Sequence, residues 1–243
     1  MADQAIFLMC SPRGNESASY SLGSYVTSLL EEKGITINEY HIYKTLRNQT
    51  KIDEMIKSVN DSDIIVLSSP LYIDSAPTNT IKIMNIITQA VQEEKIGKKK
   101  RLLLAISCAG YLEFYHNNIA LQIYEQFAKT NGFTWAGGLP IGAAGTYAMN
   151  TITSFLEQLA QLPEDDPRYE IYVKPTRILD SVIKISVEKL SQGKIVPKDE
   201  LKKLEFVAMP LEAYVKGGNQ NWINWAEDIG TVEKLRDKPY EKK

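Results

Sequence analysis

The sequence predicts an α/β protein: a five-stranded parallel sheet layered between helices on both faces, followed by a helical C-terminal extension. Two runs, Ala5-Ile6-Phe7-Leu8-Met9-Cys10 and Asp63-Ile64-Ile65-Val66-Leu67, are apolar almost without interruption, as strands covered on both faces require. Strand-like runs alternate with segments of helical periodicity up to about residue 160. That alternation then stops at Leu162-Pro163-Glu164-Asp165-Asp166-Pro167, an acidic, turn-rich segment.

Each element has its own signal. After the first strand, Leu22, Tyr25, Val26, Leu29 and Leu30 fall at i, i+3, i+4, i+7 and i+8, one helical stripe, and Gly34 follows where a helix stops. Residues 35 to 43 are β-rich and 51 to 59 helical, and the second apolar strand core follows at 63 to 67. Ile81, Met84, Ile87 and Val91 mark a helix over 78 to 93. The basic stretch Lys98 to Arg101 leads into a strand, Leu102 to Ser107, and Ile119, Ile123 and Phe127 then predict the next helix. Thr134 to Ile141 is a weaker strand because Gly137-Gly138 interrupts it. Met149, Ile152, Phe155, Leu156 and Leu159 mark the fifth helix. Right-handed crossovers between such units place helices on both faces of the sheet. We therefore divide the chain into a core domain over 1–162 and an extension over 163–243, with one clear helix at about 175 to 191, that packs on the core or on a partner subunit.

Composition narrows the function. With 44% hydrophobic residues, 24% charged residues and a formal charge of -2, the chain has no field of one sign to recruit nucleic acid. It is also less acidic than a small electron carrier that docks on basic partners. No apolar run approaches the roughly 20 residues of a membrane span, and Met1-Ala-Asp-Gln4 leads into the first strand without a basic leader, so a cytoplasmic location is expected. Two cysteines cannot build a disulfide framework.

Ligands of an open parallel sheet sit at the carboxyl ends of its strands. After the first strand, Ser11-Pro12-Arg13-Gly14-Asn15-Glu16-Ser17-Ala18-Ser19 offers hydroxyls, a planar guanidinium and the amides of a helix amino terminus, all suited to an anion. The same residues also describe an ordinary N-cap, Ser17, beside a surface charge, Arg13. After the third strand, two prolines bracket the apolar loop Pro70-Leu71-Tyr72-Ile73-Asp74-Ser75-Ala76-Pro77, which could line a planar heterocycle or simply cap the sheet. After the fourth, Cys108-Ala109-Gly110-Tyr111 begins small and turns aromatic, although Phe114 and Tyr115 equally suit the start of a helix.

Together these loops resemble the NADPH-dependent FMN reductase and iron–sulfur flavoprotein branch of the flavodoxin-like superfamily, over about residues 5 to 160. The resemblance implies a three-layer sandwich with strand order 2-1-3-4-5. It also implies FMN, its phosphate held by Ser11, Arg13, Ser17, Ala18 and Ser19 and its ring lined by Pro70, Leu71, Tyr72 and Ile73 on one side and Cys108, Ala109, Gly110 and Tyr111 on the other. Cys10 and Cys108 are too few to ligate an iron–sulfur cluster, so no metal is expected. In that strand order they lie two strands apart, too far for a disulfide, and are expected to be small packing residues.

The implied activity is that of an FMN-dependent NAD(P)H oxidoreductase reducing a quinone, a nitroaromatic or free flavin. No catalytic side chain is assigned, because the flavin carries the chemistry. An electron carrier of flavodoxin type and a flavin-free binding protein are the competing expectations. Tyr214, Trp222 and Trp225 in the extension suit a homodimer interface or a fastening of the extension to its own core.

Overall fold

The structure, a computed structural model, describes residues 2–148, 151–160, 162–166, 168–207 and 209–237. Its sheet contains β1 (Gln4–Met9), β2 (Thr36–His41), β3 (Ile64–Pro70), β4 (Leu102–Cys108) and β5 (Thr134–Ile141), all parallel, in the order β2-β1-β3-β4-β5. This is the expected flavodoxin-like order. Cys10 directly follows β1 and Cys108 ends β4, with β3 between those strands; both are free and buried. Register slips between β4 and β5, where Leu103 pairs with Trp135 but Leu104 with Gly137, so the glycine pair that weakened this strand in the sequence marks a bulge.

Residue alternation along the strands divides the interior in two. Ala5, Phe7 and Met9 of β1, with Leu102, Leu104 and Ile106 of β4, face a layer built from α1 (Ala18–Glu32) and α7 (Lys174–Ser191), with Ile152 of α6 (Ile152–Leu159) at its edge. Ile6 and Leu8, with Leu103 and Ala105, face α3 (Gln49–Asp61), α4 (Thr78–Gln92) and α5 (Asn118–Thr130). Leu22, Val26 and Leu30 of the predicted stripe are buried under α1.

Two expectations need correction. Residues 35 to 43 do not form one strand: the chain turns at His41 into the short helix α2 (Ile42–Thr45), held by a hydrogen bond from Thr45 Oγ1 to the His41 carbonyl. In α5 the buried face is Ala120, Tyr124, Phe127 and Ala128, while Ile119 is exposed. Strand–helix alternation ends near residue 162, and packing against the core continues beyond it. Leu179, Val182, Ile183, Val187 and Leu190 of α7 lie in the same apolar layer as α1, and the compact unit runs from Met1 to Ala208. Lys33, which caps the end of α1, pairs with Glu188 of α7 at 2.6 Å, and Tyr25 of α1 donates to Asp180 of α7. Met149 and Pro167, used in the sequence reading, lie outside the described residues.

Among its described residues the second compact unit, Met209–Lys243, contains α9 (Leu211–Asp228) and a single turn over Val232–Lys234.

Candidate functional site

The order β2-β1-β3 reverses the winding direction at β1 and β3, so the loops after these strands flank the switch point at the sheet's carboxyl edge. The first of them is shaped by short-range hydrogen bonds. Gly14, at φ +60, turns the chain, and its carbonyl accepts from Ser17 Oγ at 2.7 Å. Ser17 in turn caps α1, accepting from the Tyr20 amide at 3.1 Å. Ser11 Oγ accepts from the Arg13 amide at 3.3 Å, which leaves its O–H to donate elsewhere.

The predicted phosphate residues therefore separate into two groups. Ser17 is a cap, its hydroxyl already donating to Gly14. Ser19 points inward: its carbonyl accepts from Ser68 Oγ at 2.7 Å, and its hydroxyl approaches the Cys108 thiol. At the start of α1 the Ala18 and Ser19 amides precede the first intrahelical bond, from Ser21 to Ser17. No acidic residue occupies that first turn. Arg13 is exposed, and among the described residues it makes no ion pair.

The loop after β3 is a tight turn. Tyr72 and Ser75 exchange backbone hydrogen bonds at 3.0 and 3.2 Å, and between them Ile73 and Asp74 both adopt the left-handed region, at φ 51 and 54. A β-branched residue there is strained, yet Ile73 is 97% exposed, so burial of its own side chain does not compensate. Leu71, by contrast, belongs to the interior, its amide donating to the Cys108 carbonyl at 2.9 Å. Tyr72 is half exposed. Burial of its hydroxyl and the neighbouring Tyr43 push the phenol up, against the pull of the Arg13 guanidinium, which brings the first loop, the third and α2 into one neighbourhood.

The loop after β4 divides in the same way. Cys108 and Ala109 continue the strand's alternation, so their side chains point into opposite apolar layers, and the Ala109 amide donates to Ile141. Gly110 and Tyr111 are exposed. Tyr111 stacks on His116 with ring centroids 4.4 Å apart, and His116 Nδ1 lies 3.2 Å from Asp74 Oδ1, tying the third loop to the fourth. Sequence reading did not reveal the His116–Asp74 contact. It also missed the brace beneath this loop: Ala143 donates to the Tyr111 carbonyl at 2.6 Å and Ala144 to Ala109 at 2.9 Å. Gly142 permits that approach, since a Cβ there would collide with the Leu112 carbonyl oxygen. The signal available in the sequence was Gly142 directly after the fifth strand.

Tyr124 was missed as well. Fully buried, it shares a 2.7 Å hydrogen bond with Ser69 Oγ, which also donates to the Pro70 carbonyl at 2.8 Å, so α5 fixes the root of the third loop.

The donor set fits FMN. A helix whose first turn holds no carboxylate, with an unpaired guanidinium beside it, suits a phosphate, and the exposed Tyr72, Ile73 and Tyr111 offer flat and apolar surface for a ring. Among the described residues no group of three or more His, Cys, Asp or Glu could hold a metal ion, and no helix is long and apolar enough to cross a membrane.

No family model and no curated protein matches the sequence. Solved structures do. An FMN-dependent NADH-azoreductase from Bacillus anthracis str. Ames Ancestor, crystallised in complex with FMN, is 10% identical with a TM-score of 0.53, over 78% of this chain and 99% of that one. An NADH:FMN oxidoreductase in its apo form is 12% identical with a TM-score of 0.50, over 87% of this chain and 98% of the other. At such identities the likeness is one of fold: this chain has the flavodoxin-like α/β fold.

Proposed function

We propose that the protein is an FMN-dependent NAD(P)H oxidoreductase that reduces a small acceptor: a quinone, a nitroaromatic or free flavin. The observation that carries this reading is the convergence, at the β1/β3 switch point, of an anion-suited helix terminus and Arg13 with an exposed apolar and aromatic rim. The two structures of similar fold, one named an FMN-dependent NADH-azoreductase and the other an NADH:FMN oxidoreductase, support it by analogy.

In this reading Arg13, the Ser11 hydroxyl and the Ala18 and Ser19 amides hold the phosphate. Tyr72 and Ile73 cover one side of the ring and Gly110 with Tyr111 the other, while the His116–Asp74 contact fixes the distance between the two walls. Bound FMN would supply hydride and single-electron chemistry, so no side chain of the chain need act as acid or base. The compartment consistent with this reading is the cytoplasm. We further propose that a second copy of the chain covers α9, in which Ala226 is the one buried residue and which carries Leu211, Val215, Trp222 and Trp225.

The test is oxidation of NADH and of NADPH by FMN-loaded protein offered benzoquinone, a nitroaromatic and free flavin in turn. Turnover with one of them supports the enzyme. Bound FMN without oxidation of either nucleotide favours an electron carrier, and failure to bind FMN favours a flavin-free binding protein.

A further inference from the structure

Beside the flavin loops lies a cleft of about 520 Å³ between α2, α3 and α4. Its floor is apolar, formed by Leu46 and Ile52 among others; its polar groups are Tyr43, Asn79, Arg47 and Lys82, and no carboxylate lines it. Other clefts differ in this respect. One of about 420 Å³ beside β2 balances Lys44 and Lys51 with Glu39 and Glu54, and one of about 280 Å³ between α5, β5 and α8 (Lys198–Lys202) balances Lys198 and Lys202 with Glu125 and Glu205. Two exposed cations without ion pairs among the described residues, in a chain of formal charge -2, give this cleft a local positive field over an apolar base. That pairing suits a ligand with a phosphate group joined to an aromatic or sugar body.

Position says which ligand. Asn79 stands in the first turn of α4, immediately after the loop that carries Tyr72, and Tyr43 is close enough to Tyr72 to shift its phenol. The cleft therefore neighbours the loop that carries Tyr72, and a molecule seated in it is placed to reach toward that loop.

We propose that this cleft binds the phosphate-bearing half of the electron-donating nicotinamide dinucleotide, with Arg47 and Lys82 holding its phosphates and the apolar floor carrying its adenosine. The inference rests on the oxidoreductase reading above. It assigns Arg47 and Lys82 to donor binding and leaves Arg13 to FMN.

Calorimetric titration of the full chain with ADP-ribose and with 2′-phospho-ADP-ribose, neither of which contains nicotinamide, tests it without turnover. Saturable binding to the wild-type protein is expected, at least tenfold weaker in the Arg47→Ala/Lys82→Ala double variant and unchanged in Lys198→Ala. Weakening of both probes would identify the pyrophosphate as the group held; weakening of the 2′-phosphorylated probe alone would identify the 2′-phosphate and hence NADPH. No saturation by either probe, or equal affinity in the double variant, overturns the proposal. FMN titration of the same proteins separates the two claims. Wild-type protein that binds the probes but not FMN sinks the flavin reading alone, whereas a double variant that loses FMN equally would place both cations in the flavin site and overturn this one.

Discussion

Arg13 stands exposed beside a helix start with no carboxylate partner among the described residues, so its only evident counter-charge is a ligand's. Replacing it by alanine removes charged hydrogen bonds worth roughly 1.5 to 3 kcal/mol. Flavin fluorescence titration of Arg13→Ala should then show an FMN dissociation constant roughly ten- to a hundredfold higher; an unchanged one would remove Arg13 from the site. The cysteines present the opposite situation. Burial pushes both thiols up to about 12, only partly offset by the hydroxyls of Thr80 beside Cys10 and of Ser19 and Ser68 beside Cys108. A raised value means the unreactive thiol persists throughout the working range. Maleimide at pH 8 should label neither cysteine in native protein and both in denaturant; prompt native labelling would contradict their placement in the core. Composition alone could not make such distinctions. Arg101 closes the basic stretch that leads into β4, and it is buried, donating to the carbonyls of Val59, Asn60 and Gly97.

The turn over Ile73 and Asp74 is where local backbone cost is concentrated at the site. Holding an L-residue in the left-handed region costs roughly 1 to 2 kcal/mol, and glycine escapes most of it. Ile73→Gly should therefore raise the free energy of unfolding in urea by about 1 kcal/mol while weakening FMN binding, because it also removes an exposed apolar wall. A variant less stable than the wild type would show that the turn stores no strain. Elements of this protein were legible in the sequence where chemistry and period coincide. The runs at β1 and β3 are buried on both faces, so nearly every residue is apolar, and the α1 stripe has large aliphatic anchors. The α5 face was misread because its buried residues include Ala120, Ala128 and Tyr124, two too small to stand out and one whose hydroxyl reaches Ser69. Loop positions were legible from topology, but their inward and outward residues were not. Whether Leu71 or Tyr72 turns to the core depends on how far strand alternation continues past the last ladder pair, and the His116–Asp74 contact joins residues 42 positions apart.

For the whole molecule, the α/β unit encloses two apolar layers around its sheet, whereas Met209–Lys243 has only α9 and a single turn among its described residues. A segment so short does not bury enough surface to fold alone, which motivates a second copy over α9. Sedimentation at micromolar concentration should show a dimer for the full chain and a monomer after truncation at 208; a monomeric full chain, or a dimer that survives truncation, would contradict this. Beyond the turn-rich segment at 162 to 167, α7 completes the layer begun by α1. The central claim, that this fold carries a redox-active flavin, is tested most directly by the visible absorption spectrum of the purified protein with FMN added, followed by anaerobic NADH and then NADPH. A bound-flavin spectrum that either nucleotide bleaches is the predicted result. Absence of any bound flavin would leave the fold intact and contradict the function proposed for it.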